Sequence, residues 1–272
     1  MTHGDDAAKV ALNNTILRVV SGSQLVGTAL DSHDRDELGV CVEPPEYVLG
    51  TQKFEHWVHR DAGDDNRSGE GDLDLTIYSL RKFAKLVLSG NPSVTPMLFA
   101  PPEACLVRVD LGEGLQNLAP HLVSKNTGAR FLGYMREQRA RMNGERGQKN
   151  VKRPELVEKY GFDVKYAYQV IKLGLQGIEL LSDGILSLPM RDFERDELIA
   201  IRTGQVTENE INARSDEIEK RMEQLLSTSS LPDSPNVEML DGWLVAAHMT
   251  HWGSIYLASS FLSSLESKRE VE

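Results

Sequence analysis

The sequence predicts an α/β chain of the α+β kind, with a mixed sheet and its helices in the first half and a helical second half. Three observations lead there. Apolar runs with strand character, ILRVV at 16–20 and DLDLTIYSL at 72–80, fall within the first 110 of 272 residues. Beyond about Val109 the apolar residues recur at helical spacing instead. Apolar residues make up 40% and charged residues 26% of the chain, an ordinary globular balance with length enough for a buried core.

Residues 1–10 read as frayed, so the first ordered element is expected as a strand over 15–20. A second strand is expected over 38–42, closed by Pro44 and Pro45, which cannot continue a central ladder. HRDAGDDNRSGEGD (59–72) is polar and glycine-rich and reads as a mobile loop. The strand after it puts Asp72 and Asp74 on one face, because side-chain direction alternates. Leu80, Phe83, Ala84, Val87 and Leu88 then follow i, i+3, i+4, i+7, i+8, a core-facing helix stopped by Gly90 and Pro92.

In the second half, YAYQVIKLGLQGIELL (166–181) is apolar enough for a central helix. Thr207 and Glu210 fit a capping box, and Ile211, Ile218, Met222 and Leu225 line one side of the helix behind it. STSSLPDSPN (227–236) reads as a linker before a last helix over about 239–265. The division expected is 1–123 for the sheet-bearing domain, 124–230 for a helical domain walling a cleft, and 231–272 for the linker and C-terminal helix.

The net charge of −11 excludes simple nonspecific coating of nucleic acid, yet the charge is unevenly spread. Acids dominate up to Asp74, whereas residues 125–153 carry nine Lys and Arg against Glu137 and Glu145. The first residues lack a signal-peptide pattern and no run approaches the roughly 18 apolar residues of a membrane span. A cytoplasmic protein without membrane attachment is expected. Cys41 and Cys105 stand far apart, without metal-ligand spacing, and read as reduced thiols.

The first constellation with chemistry is Gly22-Ser23, directly after a strand, followed by Asp34 and Asp36 on one strand and Asp74 on another. A Gly-Ser turn delivers backbone N–H groups and a hydroxyl to one spot, which suits a phosphate. Carboxylates suit a hard divalent cation such as Mg²⁺, and three of them can support two ions. An Asp-x-Asp pair alone is ordinarily a turn or solvated edge; the ordered series of strand, Gly-Ser, Asp-x-Asp strand and Asp strand is far more restrictive.

The second constellation is GERGQKNVKRP (144–154). It lacks a Walker A pattern and a preceding strand, so alone it reads as a solvated turn. Beside a triphosphate site, Lys149, Lys152 and Arg153 would meet phosphates or an anionic acceptor. In the third, Asp163 and Lys165 precede the apolar helix, either as an ion pair capping it or with Lys165 facing a nucleotide and Asp163 orienting it. His56 with His59, and His248 with His251, stand three apart without a completing ligand and read as structural; Trp57, Trp243 and Trp252 read as core or interface residues.

GSQLVGTA, DRDELGVCVEPPEYVLG, GDLDLTIYSLRKFAKLVLSGNP, LFAP, GERGQKNVKRPELVEKYGFDVKYA, LGLQGIELL, LPM and LIAIRTGQ together resemble the predicted nucleotidyltransferase family within the DNA polymerase β superfamily, over residues 15–230. The resemblance implies a polymerase β-like fold, with Gly22 and Ser23 in the nucleotide-anchoring motif, Asp34 and Asp36 as the first metal ligands, and Asp74 as the third. His33 departs from the small or acidic residue more usual before the first ligand. The implied reaction is transfer of a nucleoside monophosphate from ATP or another NTP to an acceptor hydroxyl, with pyrophosphate released. Two Mg²⁺ ions are implied, with Mn²⁺ as the alternative.

Lys149, Arg153 and Lys165 would then bind the nucleotide, and an RNA end is the foremost acceptor, lying along the basic segment 125–153. The competing reading of that segment is that its arginines pair with the acidic first half and hold the two halves together. The competing functions are a catalytically silent nucleotide sensor and a partner-docking protein.

Overall fold

The β-branched run after Asn14 forms β1 (Thr15–Val20), which pairs antiparallel with β2 (Arg35–Cys41) on one side and β5 (Cys105–Arg108) on the other. β2 pairs parallel with β4 (Leu73–Ser79), and β3 (His56–Arg60) closes the edge antiparallel to β4. The order is β3-β4-β2-β1-β5, the mixed sheet expected. The computed structural model describes residues 3–30, 35–61, 72–145 and 153–269. The helices are α1 (His3–Asn13), α2 (Gly22–Val26), α3 (Pro45–Val48), α4 (Leu80–Leu88), α5 (Asp110–Asn117), α6 (Ala119–Leu122), α7 (Lys125–Met142), α8 (Pro154–Tyr160), α9 (Val164–Asp183), α10 (Asp192–Arg202), α11 (Glu208–Thr228) and α12 (Val237–Arg269).

Two hydrophobic cores organise these elements. In the first, Leu17, Val19 and Val40 of the sheet meet Leu80, Phe83 and Val87 of α4. The i, i+3, i+7 spacing read from the sequence is the spacing of that buried face, and each such side chain contributes about 1.5–3 kcal/mol when fully buried. Ser79 starts α4 by accepting from Lys82 N at 3.1 Å. In the second core, Phe131 and Met135 of α7 pack on Val170 and Ile171 of α9 and on Ile218 and Met222 of α11. α9 approaches α11 closely at Gly177, where an added Cβ would collide with Met222. The capping box of α11 is present: Glu210 accepts from Thr207 N at 2.8 Å and Thr207 accepts from Glu210 N at 3.3 Å.

The structure corrects two local expectations. The segment read as frayed is α1, held because Ala11 is fully buried with Cys41, Leu75 and Ile77 on the far face of the sheet. The loop expected from His59 begins later, because His59 and Arg60 pair with Leu75 and Asp74 as the end of β3. Residues 62–71 of that loop lie outside the described residues.

The C-terminal helix returns to the sheet half, burying Leu240 and Ala247 in the first core. Its paired histidines serve this contact. His248 Nε2 lies 3.3 Å from Glu43 Oε2, His251 Nε2 lies 2.9 Å from Asn14 Oδ1, and Trp252 donates to Glu43 O at 2.8 Å. Trp57 packs beside Phe54 and Leu73 against the third small cluster. Among the described residues no helix is long and apolar enough to cross a membrane.

Candidate active site

A cleft of about 530 Å³ opens between the two cores. Gly22, Ser23 and Asp36 line its sheet side; Gln138 and Arg141 of α7, Arg153, Lys165, Tyr168 and Lys172 of α9's vicinity, and Arg202 of α10 line the other. The sheet side is built by the strand ends. β1 stops at Ser21, whose amide donates to Asp36 O at 2.8 Å, and the chain turns at once into α2. Gly22 sits in the left-handed region at φ +58°, and a Cβ there would collide with Oδ2 of Asp36. Only glycine meets both conditions.

Asp36 and Asp74 are register partners across the parallel pair β2–β4, so both carboxylates project from the face that continues into Leu38 and Val40. Asp74 also accepts from Arg60 Nε at 3.1 Å. Their oxygens match what a hard divalent cation takes. Asp34, expected beside Asp36 as one of the first two ligands, lies outside the described residues, as do Lys149 and Lys152. Among the described residues no three His, Cys, Asp or Glu side chains converge as a metal group.

The opposite wall is cationic and is organised by the start of α9. Buried Asp163 caps that helix, accepting from Lys165 N at 2.9 Å and Tyr166 N at 3.4 Å, while its other oxygen accepts from Arg153 Nη1 at 2.8 Å. The carboxylate thus orients Arg153, where the sequence pairs it with Lys165; the Lys165 side chain is exposed and lines the cleft. The Arg153 guanidinium also rests over the Tyr166 ring, 5.3 Å from its centroid.

Among the cleft residues to which the sequence assigned no role are Tyr168, Lys172 and Arg202. Lys172 had a signal, being the one cation inside the apolar run 166–181 and seven residues, two turns, beyond Lys165. Loss of water around its ammonium pushes its pKa down to about 8, with the Asp36 carboxylate acting in the opposite sense. Tyr168 and Arg202 carry no local signal, since they reach the cleft only through packing of α9 and α10.

Among the described residues of the basic segment, several cations are taken up by acidic partners. Arg136 pairs with Glu219 and Glu223, the latter at 2.5 Å, and Arg139 pairs with Asp216 at 2.6 Å, all on α11. Lys125 pairs with Asp233 at 3.0 Å. These partners belong to the helical half and its linker, so neither a bare polyanion track nor a seam to the acidic first half describes these three residues. Arg141 pairs with Glu137 at 2.5 Å and still lines the cleft.

Over 127 residues the chain is 29% identical to an uncharacterised 38.9 kDa protein from the nrdC–mobD intergenic region of Enterobacteria phage T4, covering 46% of this chain and 37% of the phage protein. The chain thus spans little over a third of the length of that relative. A solved nucleotidyltransferase-like protein from Exiguobacterium sibiricum 255-15 aligns over 82% of this chain and 71% of its own, at 10% identity and a TM-score of 0.28. The model of the RlaP family matches residues 5–246, taking in β1, both aspartate strands and the cationic wall. With that match over most of its length, the chain belongs to the RNA repair pathway DNA polymerase beta family, a nucleotidyltransferase family.

Proposed function

We propose that the protein transfers a nucleoside monophosphate from an NTP to the hydroxyl of an RNA end and releases pyrophosphate. The observation that carries this reading is the opposition of Gly22, Ser23 and Asp36 to Lys165, Lys172 and Arg202 across one cleft. Ser23 and the Gly22 turn would hold the triphosphate from the sheet side while the cations neutralise its far end. Asp34, Asp36 and Asp74 would hold divalent ions, Mg²⁺ or Mn²⁺. Such ions supply charge neutralisation at the phosphates and a lowered pKa at the attacking hydroxyl.

In the transfer, the acceptor oxygen bonds to the α-phosphorus as the bond to the bridging oxygen breaks, and the hydroxyl proton passes to a carboxylate, for which Asp74 is the candidate. Most of the rate would come from positioning and preorganised charge. RNA as the acceptor draws on the family's description and on the number of cations in the cleft: Arg141, Arg153, Lys165, Lys172 and Arg202 exceed what one metal-bound triphosphate requires. In this reading residues 1–123 form the transferase domain, 124–230 the wall, and the C-terminal helix braces the former.

The test incubates the protein with each of the four NTPs, labelled at the α-phosphate, together with Mg²⁺ and RNA or DNA oligonucleotides. A gain of one nucleoside monophosphate in RNA mass, matched by pyrophosphate, is the expected result. Nucleotide binding without label transfer to any acceptor would leave the silent sensor as the better reading.

A further inference from the structure

Thr28 lies six residues beyond Gly22 and is fully buried. All three of its polar groups are engaged. Its amide donates to Ser23 O at 2.9 Å, its carbonyl accepts from Arg202 Nη1 at 2.5 Å, and its hydroxyl shares a 2.8 Å hydrogen bond with the hydroxyl of Tyr168. Tyr168, 6% exposed, is bound in turn to the opposite wall. The Arg202 guanidinium stands 5.4 Å and the Lys172 ammonium 5.6 Å from the centroid of its ring, within cation–π range.

One buried pair of hydroxyls therefore joins the turn that carries Ser23 to the two cations that face it. A second seam runs parallel: Met190 N donates to Val26 O at 3.0 Å, and Gly27 packs against Pro189 and Arg195. The turn straddles the two hydrophobic cores, Leu25 of α2 packing in the sheet core and Val26 in the helical core with α9. Apolar burial is non-directional and tolerates sliding, whereas a hydrogen bond fixes its two atoms within a few tenths of an ångström. A buried hydroxyl without its partner is costly, which favours the clasped arrangement over a slightly opened one.

We propose that Thr28 and Tyr168 are positioning residues, a clasp that sets the Gly22-Ser23 turn at the spacing from Lys172 and Arg202 at which one triphosphate spans both walls. The inference rests on the nucleotidyl-transfer reading. The Tyr168 hydroxyl is committed to Thr28, and its ring orients Lys172 and Arg202.

The test measures, by calorimetric titration with Mg²⁺, the affinity of the full chain for an NTP analogue with a non-hydrolysable α–β bridge. Thr28→Val, Tyr168→Phe, their combination and Thr28→Ser are compared with the wild type, and a thermal midpoint accompanies each. Thr28→Val and Tyr168→Phe are each expected to weaken binding about three- to tenfold, the double variant no more than the worse single one, since one hydrogen bond is lost in all three. Thr28→Ser, which keeps the hydroxyl, is expected to stay within about twofold of wild type. Tyr168→Phe keeps the ring and its volume and so guards against misfolding as the cause. Wild-type affinity in every variant, or losses that multiply in the double variant, would overturn the clasp. Absence of nucleotide binding by the wild type would instead overturn the transfer reading, and the positioning role with it.

Discussion

Gly22 and Asp36 meet on the sheet side of the cleft with no room between them for a methyl group. The contact joins the first residue of α2, just past β1, to the second residue of β2 and brings the candidate phosphate anchor against a candidate metal ligand. Gly22→Ala should strain a backbone at φ +58° and displace the Asp36 carboxylate together. The expected outcome is a loss of about 1–3 kcal/mol of stability in denaturant unfolding, with nucleotide binding lost more completely than that change explains. Unimpaired nucleotide titration in a folded Gly22→Ala protein would sever the turn from the site.

Asp36→Ala and Asp34→Ala should abolish nucleotidyl transfer and Mg²⁺-dependent nucleotide binding while leaving the protein folded, and Asp36→Ala should also remove the carboxylate that favours the charged form of Lys172. Asp74→Ala should act likewise and Asp72→Ala more mildly, since Asp74 is the register partner of Asp36. Turnover assays on the four variants check this. The inverse order for Asp72 and Asp74 would move the third ligand by two residues.

Lys172 should make nucleotide binding pH-dependent. Its pKa, down to about 8 from 10.5, means that the charged form meets an anion below about pH 8 and is lost above it. Affinity for metal-free NTP should therefore fall as pH rises through about 8, while the unliganded protein gains stability from about pH 8 to 10.5, where the unfolded chain binds the extra proton. Lys172→Met should remove both slopes and weaken binding, whereas Lys172→Arg should remove both slopes while keeping the cation, because arginine stays charged throughout this range. Titrations at several pH values with metal chelated give the answer.

Arg136 and Arg139 should matter little to RNA binding. Their pairs with Glu219, Glu223 and Asp216 are largely solvent-exposed, so replacing either by Gln should cost about 0–1 kcal/mol of stability. Arg141→Gln or Arg153→Gln should instead weaken binding to single-stranded RNA and reduce the salt slope by about one unit per lost phosphate contact. Fluorescence anisotropy over a salt series distinguishes the two pairs of variants, and a larger effect at Arg136 or Arg139 would restore the continuous basic face.

Acid should loosen the C-terminal helix at Glu43. Burial raises the pKa of this carboxyl, but hydrogen bonds from His248, the backbone and Ser79, with the charge of His248, outweigh it and hold it below the usual 4.5. A depressed carboxyl pKa stabilises the fold above its unfolded value, and that stability is lost as pH falls from 4.5 through the folded value. Glu43→Gln should cost about 1–3 kcal/mol at neutral pH and flatten the acid limb of the stability profile. Urea midpoints measured from about pH 3 to pH 7 would show it.

The local signals in the chain were sufficient for β1, β4, α4, α9 and the capped start of α11. Each rests on a repeat of period two or 3.6, or on a capping pair three residues apart. The strand placement of Asp36 and Asp74 was legible for the same reason: their strand contexts and the Gly-Ser turn lie in short contiguous stretches. β3 was not legible, because an edge strand with alternate residues exposed reads HWVHR, with little apolar contrast to mark it. α1 depends on a single buried alanine meeting a sheet face assembled from later strands. The tertiary structure alone decided that Asp163 holds Arg153, that α11 takes up Arg136 and Arg139, that α12 returns to the sheet, and that Tyr168, Lys172 and Arg202 meet Thr28 and Asp36 at the cleft. Some of these contacts join residues more than 100 positions apart, as Thr28 and Tyr168 are at 140, and partners of that kind are chosen by how the two cores pack, which no local periodicity encodes.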